Sequence, residues 1–132
     1  MRLMNERLLQ MGRDPKQVSS LLRMIFRLFE MWNLDARQRT VLLGVRSTST
    51  IYRWRKHGTT RLRIETLERM YYLIGIQKRL RLLFYRNPDM GKAWVSTPNK
   101  ASCFRGNPPI AIMLRGKVSD LALVLDYLEQ AA

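Results

Sequence analysis

Eight cationic side chains lie between Asp35 and Glu65 with no acid among them: Arg37, Arg39, Arg46, Arg53, Arg55, Lys56, Arg61 and Arg63. They surround the segment LLGVRSTSTIYRWRKHG, residues 42–58. A glycine that stops one short helix, a tight turn, and a Ser/Thr-rich start to a basic helix together form the pattern of a helix-turn-helix. The chemistry of these groups is polyanion recognition. Hydroxyls at a helix N-terminus reach base edges and phosphates, and arginines further along neutralise the backbone. Ser47 or Thr48 is the expected N-cap. Ile51 and Trp54, three apart, are expected to face inward onto Leu42, Leu43 and Val45, leaving Ser49, Thr50, Arg53 and Lys56 toward solvent. The candidate DNA-binding set is Arg46, Ser47, Thr48, Ser49, Thr50, Tyr52, Arg53, Arg55, Lys56 and Arg61. Within it Ser49, Thr50 and Arg53 are expected nearest the bases, and Arg46, Arg55 and Arg61, with Arg63, nearer the phosphates. A merely solvated basic face is the plain alternative, and the acid-free run joined to the turn signature favours DNA.

No comparable pattern marks a reactive centre. His57 falls at the end of the basic helix, where a cation suits the C-terminal dipole. Cys103 has no local partner and reads as a buried structural thiol. Asp120, Asp126 and Glu129 are spaced as an ordinary polar helix face. One cysteine excludes a disulfide framework and any multi-cysteine metal site. No catalytic residue, metal or cofactor is expected, and a reducing cytoplasm is the natural home. The opening MRLMNERLLQMGRD is broken by charges every few residues, so a signal peptide is not expected. No stretch approaches the roughly 18 apolar residues of a membrane span.

The chain has 132 residues and a net charge of +14, enough for one core with a small appendage and a polyanionic partner. The charge is unevenly placed: residues 101–132 hold 3 Lys+Arg against 3 Asp+Glu, so the whole excess lies before them. A basic body and a neutral C-terminal piece are expected to do different things.

The elements that must position these residues read as helices. Val18, Leu21, Leu22, Ile25, Leu28, Phe29 and Trp32 recur at three- and four-residue steps behind Pro15, an amphipathic helix that Asn33 can end. Asp35 can cap the next short helix, ARQRTVLL, which stops at Gly44. After the basic helix, closed at Gly58, a long apolar stripe runs through Ile64, Leu67, Met70, Tyr71, Ile74 and residues 80–84, softly interrupted by Gly75. Asn87 and Pro88 break it or open a short helix before Trp94, a core anchor. Residues 96–109 have loop chemistry. Residues 118–130 form a last helix whose Leu121, Val124, Leu125 and Leu128 pack on the Trp94 region. The fold class is mainly all-α, a helix-turn-helix domain over residues 1–84 followed by a small, mostly helical, loop-rich module over residues 85–132.

From about residue 21 to its end the chain resembles the Xre/MbcA/ParS antitoxins, the DNA-binding antidotes to RES-domain toxins. The resemblance rests on LFEMWNL (28–34), LLGV (42–45), STIYRWRKHG (49–58) and ETLERMYYLIGIQKRLRLLF (65–84). Behind these come Asn87-Pro88, Trp94, Pro98-Asn99, Phe104-Arg105-Gly106, Pro109, Leu114-Arg115-Gly116 and the terminal amphipathic helix. The turn from Gly44 to Ile51 is one residue longer than the commoner form of the family. The resemblance implies that residues 85–132 cover the active site of an NAD-consuming toxin, while the pair represses its own promoter. The contact surface is expected at the polar loop residues Asn99, Lys100, Arg105, Asn107, Arg115 and Lys117, with Trp94 and Phe104 as supports beneath it.

A plain transcription regulator whose C-terminal module only oligomerises is the competing reading. An RNA-binding role is disfavoured, since no aromatic single-strand platform is present. The expected partners are double-stranded DNA, a RES-domain toxin and a second copy of the chain, with the stripe over residues 64–84 as the dimer seam. Deleting about residues 110–132 is expected to abolish neutralisation while sparing the helix-turn-helix.

Overall fold

The structure, a computed structural model, describes residues 2–131, with side chains from residue 5 onward. Met1 and Ala132, the outer ends of the two expected segments, lie outside the described residues. Among the described residues the chain is all-helical, with no strand. The α-helices are α1 (Arg2–Met11), α2 (Pro15–Met31), α3 (Ala36–Leu43), α4 (Thr48–His57), α5 (Ile64–Leu83), α6 (Pro88–Ala93), α7 (Pro109–Met113) and α8 (Val118–Gln130). A 3-10 turn, Trp94–Ser96, follows α6 directly.

Local chemistry sets most boundaries. Asp14 caps α2 by accepting from the Lys16 N–H at 3.0 Å, and Pro15 supplies a first residue already bent for a helix. The periodic face of α2 then buries Val18, Leu22, Ile25, Phe26, Leu28 and Phe29. Asn33, at φ +55, turns the chain out of that helix. Asp35 and Gln38 form a reciprocal capping box at the start of α3, with bonds of 2.8 and 2.9 Å. Gly44, at φ +67, ends α3 in the left-handed conformation that a side chain resists.

The centre of the molecule is α5. It runs unbroken through Gly75, where the sequence pattern anticipates an interruption. A Cβ at Gly75 would come within 3.1 Å of Leu125 Cδ2, so the missing side chain lets α8 lie close along α5. Thr66, Leu67, Met70, Leu73, Ile76 and Leu80 are buried on α5 against α1, α2, α3, α6 and α8. The apolar stripe expected as a dimer seam is partly taken up within the chain: Leu67, Met70 and Leu80 are buried, Ile64, Ile74, Leu83 and Phe84 are half-buried, and Tyr71 and Leu82 are exposed. The last helix, whose expected span the structure reproduces, packs chiefly on α5 and not only on the Trp94 region. Its removal would uncover buried residues of α5, so loosening of the helix-turn-helix half is expected as well.

Two helices are additional to the expected set. In α1, Leu8 is buried and the helix docks on α5; the Leu62 N–H donates to the Gly12 carbonyl at 3.0 Å and closes this corner. In α7, Pro109, Ile112 and Met113 are buried within the stretch that follows the loop.

Candidate nucleic-acid and partner-binding surfaces

Helix α4 presents its basic face outward because its apolar residues are few and clustered. Ile51 is buried and Trp54 half-buried, and α4 packs on α3 and α2 through this side. Ser49, Tyr52, Arg53 and Lys56 are exposed and spaced three, four and seven residues from Ser49, which places them on one face. Tyr52 is 75% exposed, unusual for a large aromatic, and stands in the middle of that face. Thr50 is half-buried, so it contributes less to the outer surface than its neighbours.

Ser47 occupies the N-cap position, but its hydroxyl makes no cap hydrogen bond. Ser47, Thr48 and Ser49 are all exposed there, beside first-turn N–H groups that a helix cannot satisfy internally. Arg37, Thr40, Arg46, Ser47, Thr48 and Gly116 are among the residues that line a shallow groove of about 620 Å³ next to this end. That concavity holds cations, hydroxyls and no acid, an arrangement suited to a phosphate backbone.

The basic residues of the window divide by surroundings. Arg46, Arg53, Lys56 and Arg61 are exposed and form no ion pair among the described residues. Arg55 turns back onto α2, pairing with Glu30 at 2.5 Å and lying 5.5 Å from the Phe26 ring centroid. It ties α4 to α2 and directs its charge away from the outer face. Arg63 lies 3.7 Å from Glu65. Arg39 is held inward: its Nε donates to the Leu34 carbonyl at 2.9 Å and its guanidinium sits 5.7 Å from the Phe29 centroid. Burial first, then the like charge of Arg55, press its pKa below the ordinary arginine value.

The second surface is built on aromatic packing. Trp94 stacks on Tyr127 of α8 with centroids 6.1 Å apart, and the edges of Trp94 and Tyr127 meet Phe104 at 5.9 and 5.0 Å. Phe104 is fully buried, so this cluster fixes the loop between the 3-10 turn and α7 against α8. The loop is closed by its own backbone. The Asn99 N–H donates to the Asn107 carbonyl at 3.2 Å, and the Gly106 N–H donates to the Asn99 carbonyl at 2.8 Å. Asn99 Oδ1 accepts from the Ala101 N–H at 2.9 Å, which spends that side chain on the turn itself. Lys100, Arg105 and Asn107 remain exposed on the loop, with Arg105 at φ +52.

Arg115 and Lys117 belong to a different segment, the turn that precedes α8. Arg115 Nε lies 3.7 Å from Asp120 Oδ1, and Asp120 is buried with its other oxygen unpaired. Gly116 between them sits beside α3: a Cβ there would meet Val41 Cγ1 at 3.9 Å. The six polar residues expected to form one contact surface therefore come from two segments, one of which adjoins the helix-turn-helix.

Two residues that sequence reasoning missed hold these parts together. Gln77 on α5 accepts from the Trp32 indole N–H at 3.2 Å. Arg69, also on α5, donates both to carbonyls at the end of α3 and to the Gly116 carbonyl. Neither departs from an ordinary polar position in the helical pattern, and their partners lie far away in sequence.

Among the described residues no helix is long and apolar enough to cross a membrane, and no cluster of His, Cys, Asp or Glu could hold a metal ion. Residues 18–75 match the family model of the antitoxin Xre-like helix-turn-helix domain. Residues 79–132 match that of the antitoxin Xre/MbcA/ParS C-terminal toxin-binding domain. The uncharacterized protein y4oB of Sinorhizobium fredii (strain NBRC 101917 / NGR234) is 34% identical over 116 residues, 88% of this chain and 87% of that protein. With an outward basic helix on one side, a loop module braced by aromatics on the other, and both domain matches in this order, the chain belongs to the Xre-type antitoxins.

Proposed function

We propose that this chain neutralises a RES-domain, NAD-consuming toxin by covering its active site, and represses its own promoter through α4. The observation that carries the reading is the pairing of two antitoxin domain matches along one chain with an acid-free outward face on α4. The C-terminal segment, about residues 85–132, supplies the toxin contact through Lys100, Arg105 and Asn107 on the closed loop, with Asn99 shaping it. The near-neutral charge of residues 101–132 supports this division, because a protein-binding face gains nothing from the strong positive field that DNA requires. On this reading the chain catalyses nothing, needs no cofactor and acts in the cytoplasm. On a two-fold operator it binds as a dimer, since one short recognition helix reads few bases.

The test is co-expression with the RES-domain product of a neighbouring gene, scored by growth, cellular NAD and co-purification. Protection of NAD together with recovery of a complex is expected. Loss of NAD despite abundant folded chain would reject the toxin assignment. A helix-turn-helix regulator with an oligomerising C-terminal part would then be the better account.

A further inference from the structure

Arg69 sits in the first half of α5, half-buried between segments of two different domains. One terminal nitrogen donates to the Val41 carbonyl at 3.3 Å and more loosely to that of Leu42 at 3.5 Å. The other donates to the Gly116 carbonyl at 2.7 Å. Val41 and Leu42 lie in the last turn of α3, where the Val41 carbonyl also accepts from the Gly44 N–H at 3.2 Å. A guanidinium placed there adds a donor to both carbonyls and opposes the negative end of the helix dipole. Gly44 faces the same side chain, since a Cβ there would come within 2.6 Å of Arg69 Nε. The turn that sets where α4 starts, and how it tilts, is thereby joined to the turn before α8 through one side chain.

We propose that Arg69 is a positioning residue for DNA readout: it fixes the α3–α4 turn and, through Gly116, makes that setting depend on the C-terminal domain. The proposal rests on the reading of α4 as the recognition helix. The geometry calls for an arginine, because a planar fork can reach carbonyls on two sides at once, whereas an ammonium is a single point. Both of its terminal nitrogens donate to protein carbonyls, which sets it apart from the outward cations of α4. Any ligand that shifts the Gly116 turn must shift the α3–α4 turn as well, and linkage makes the effect reciprocal.

The experiment titrates the full chain by fluorescence anisotropy against two duplexes of equal length. One carries the sequence immediately upstream of its own coding region, and the other is a scrambled version. The wild-type chain is expected to prefer the first. Arg69→Lys should lower that preference by about tenfold, a difference of one decade in the ratio of dissociation constants. Its affinity for the scrambled duplex and its salt dependence should stay within about twofold of wild type, as for any change that leaves phosphate contacts intact. Gly116→Ala, a change in the C-terminal domain, should lower the preference too, and the double variant should be no worse than the poorer single one. Hydrogen exchange without DNA should show faster exchange over residues 45–51 in Arg69→Lys while melting stays cooperative.

Should Arg69→Lys lose its cooperative melt, the Gly116→Ala measurement decides alone. An unchanged preference in the folded variants would overturn the proposal, as would additive losses in the double variant. Equal loss on both duplexes would make Arg69 a phosphate contact and overturn it as well. A wild-type chain that does not distinguish the duplexes would remove the recognition-helix reading itself, an outcome separate from any failure confined to Arg69.

Discussion

Replacing Leu121 by alanine is the sharpest test of how the two domains share their stability. Leu121 is fully buried on α8, which packs along α5 at the heart of the molecule. Truncating a buried leucine to alanine costs about 2–5 kcal/mol, through lost burial and the cavity left behind. Taking ~3 kcal/mol, and an unfolding entropy of ~2.1 cal/mol/K per residue, the whole chain unfolds with ~0.28 kcal/mol/K. The melting temperature should then fall by about 11 °C if all parts unfold together. Two tryptophans allow each domain to report separately. Trp32 lies on the helix-turn-helix side, bonded to Gln77, and Trp94 stacks on Tyr127 in the C-terminal domain. In two single-tryptophan proteins, each carrying Leu121→Ala, both fluorescence midpoints should fall by the same amount. A Trp94 midpoint that drops while Trp32 stays in place would refute the shared core. It would also restore the expectation that the C-terminal segment can be deleted without harm to the DNA-binding half.

Arg53→Ala should weaken binding to the preferred duplex by ~1–3 kcal/mol more than to a scrambled one, as for a lost base contact; equal weakening in a filter-binding or anisotropy assay would place Arg53 on the phosphates instead. With Arg46, Arg53, Lys56 and Arg61 outward and unpaired, up to four phosphates per chain are within the electrostatic footprint. The slope of log affinity against log salt should therefore be about −3.6 for each bound chain, and a flat titration would contradict the basic face as the contact surface. Asp35→Ala removes the carboxylate that accepts from the Gln38 N–H at the start of α3, one of the two bonds of the capping box, and should cost about 1 kcal/mol in urea denaturation. An unaltered midpoint would show that tertiary packing alone sets that helix start.

Where a boundary is written in neighbouring residues, the sequence displays it. Pro15, Asp35 and Gly44 act within one turn of themselves, and the spacing of Val18, Leu22, Ile25 and Phe29 fixes the buried face of α2. The outward placement of Ser49, Arg53 and Lys56 follows from Ile51 in the same way. What stayed hidden depends on contacts across the chain. In α1, dense charges mask a helix that holds by docking Leu8 on α5. In α7, five residues are too few to show a period. Arg55 looked like any cation of a basic helix until α2 brought Glu30 beside it. Arg69 follows Glu68 in an unremarkable helical pattern, while its acceptors lie 27, 28 and 47 residues away. The stripe on α5 was visible, but only the three-dimensional arrangement shows which of its residues the neighbouring helices of the same chain cover.

The two antitoxin domain matches end at residue 75 and begin again at residue 79, both inside α5, which spans Ile64–Leu83. Their border is therefore a mid-helix junction and not a hinge. A rigid rod of 20 residues, about 30 Å long, carries the two parts in one fixed rotational register. Adding or removing one residue at this border would turn everything after it by about 100° around the helix axis. Recombination between relatives, natural or engineered, can exchange these domains only when the crossover keeps the residue count within α5.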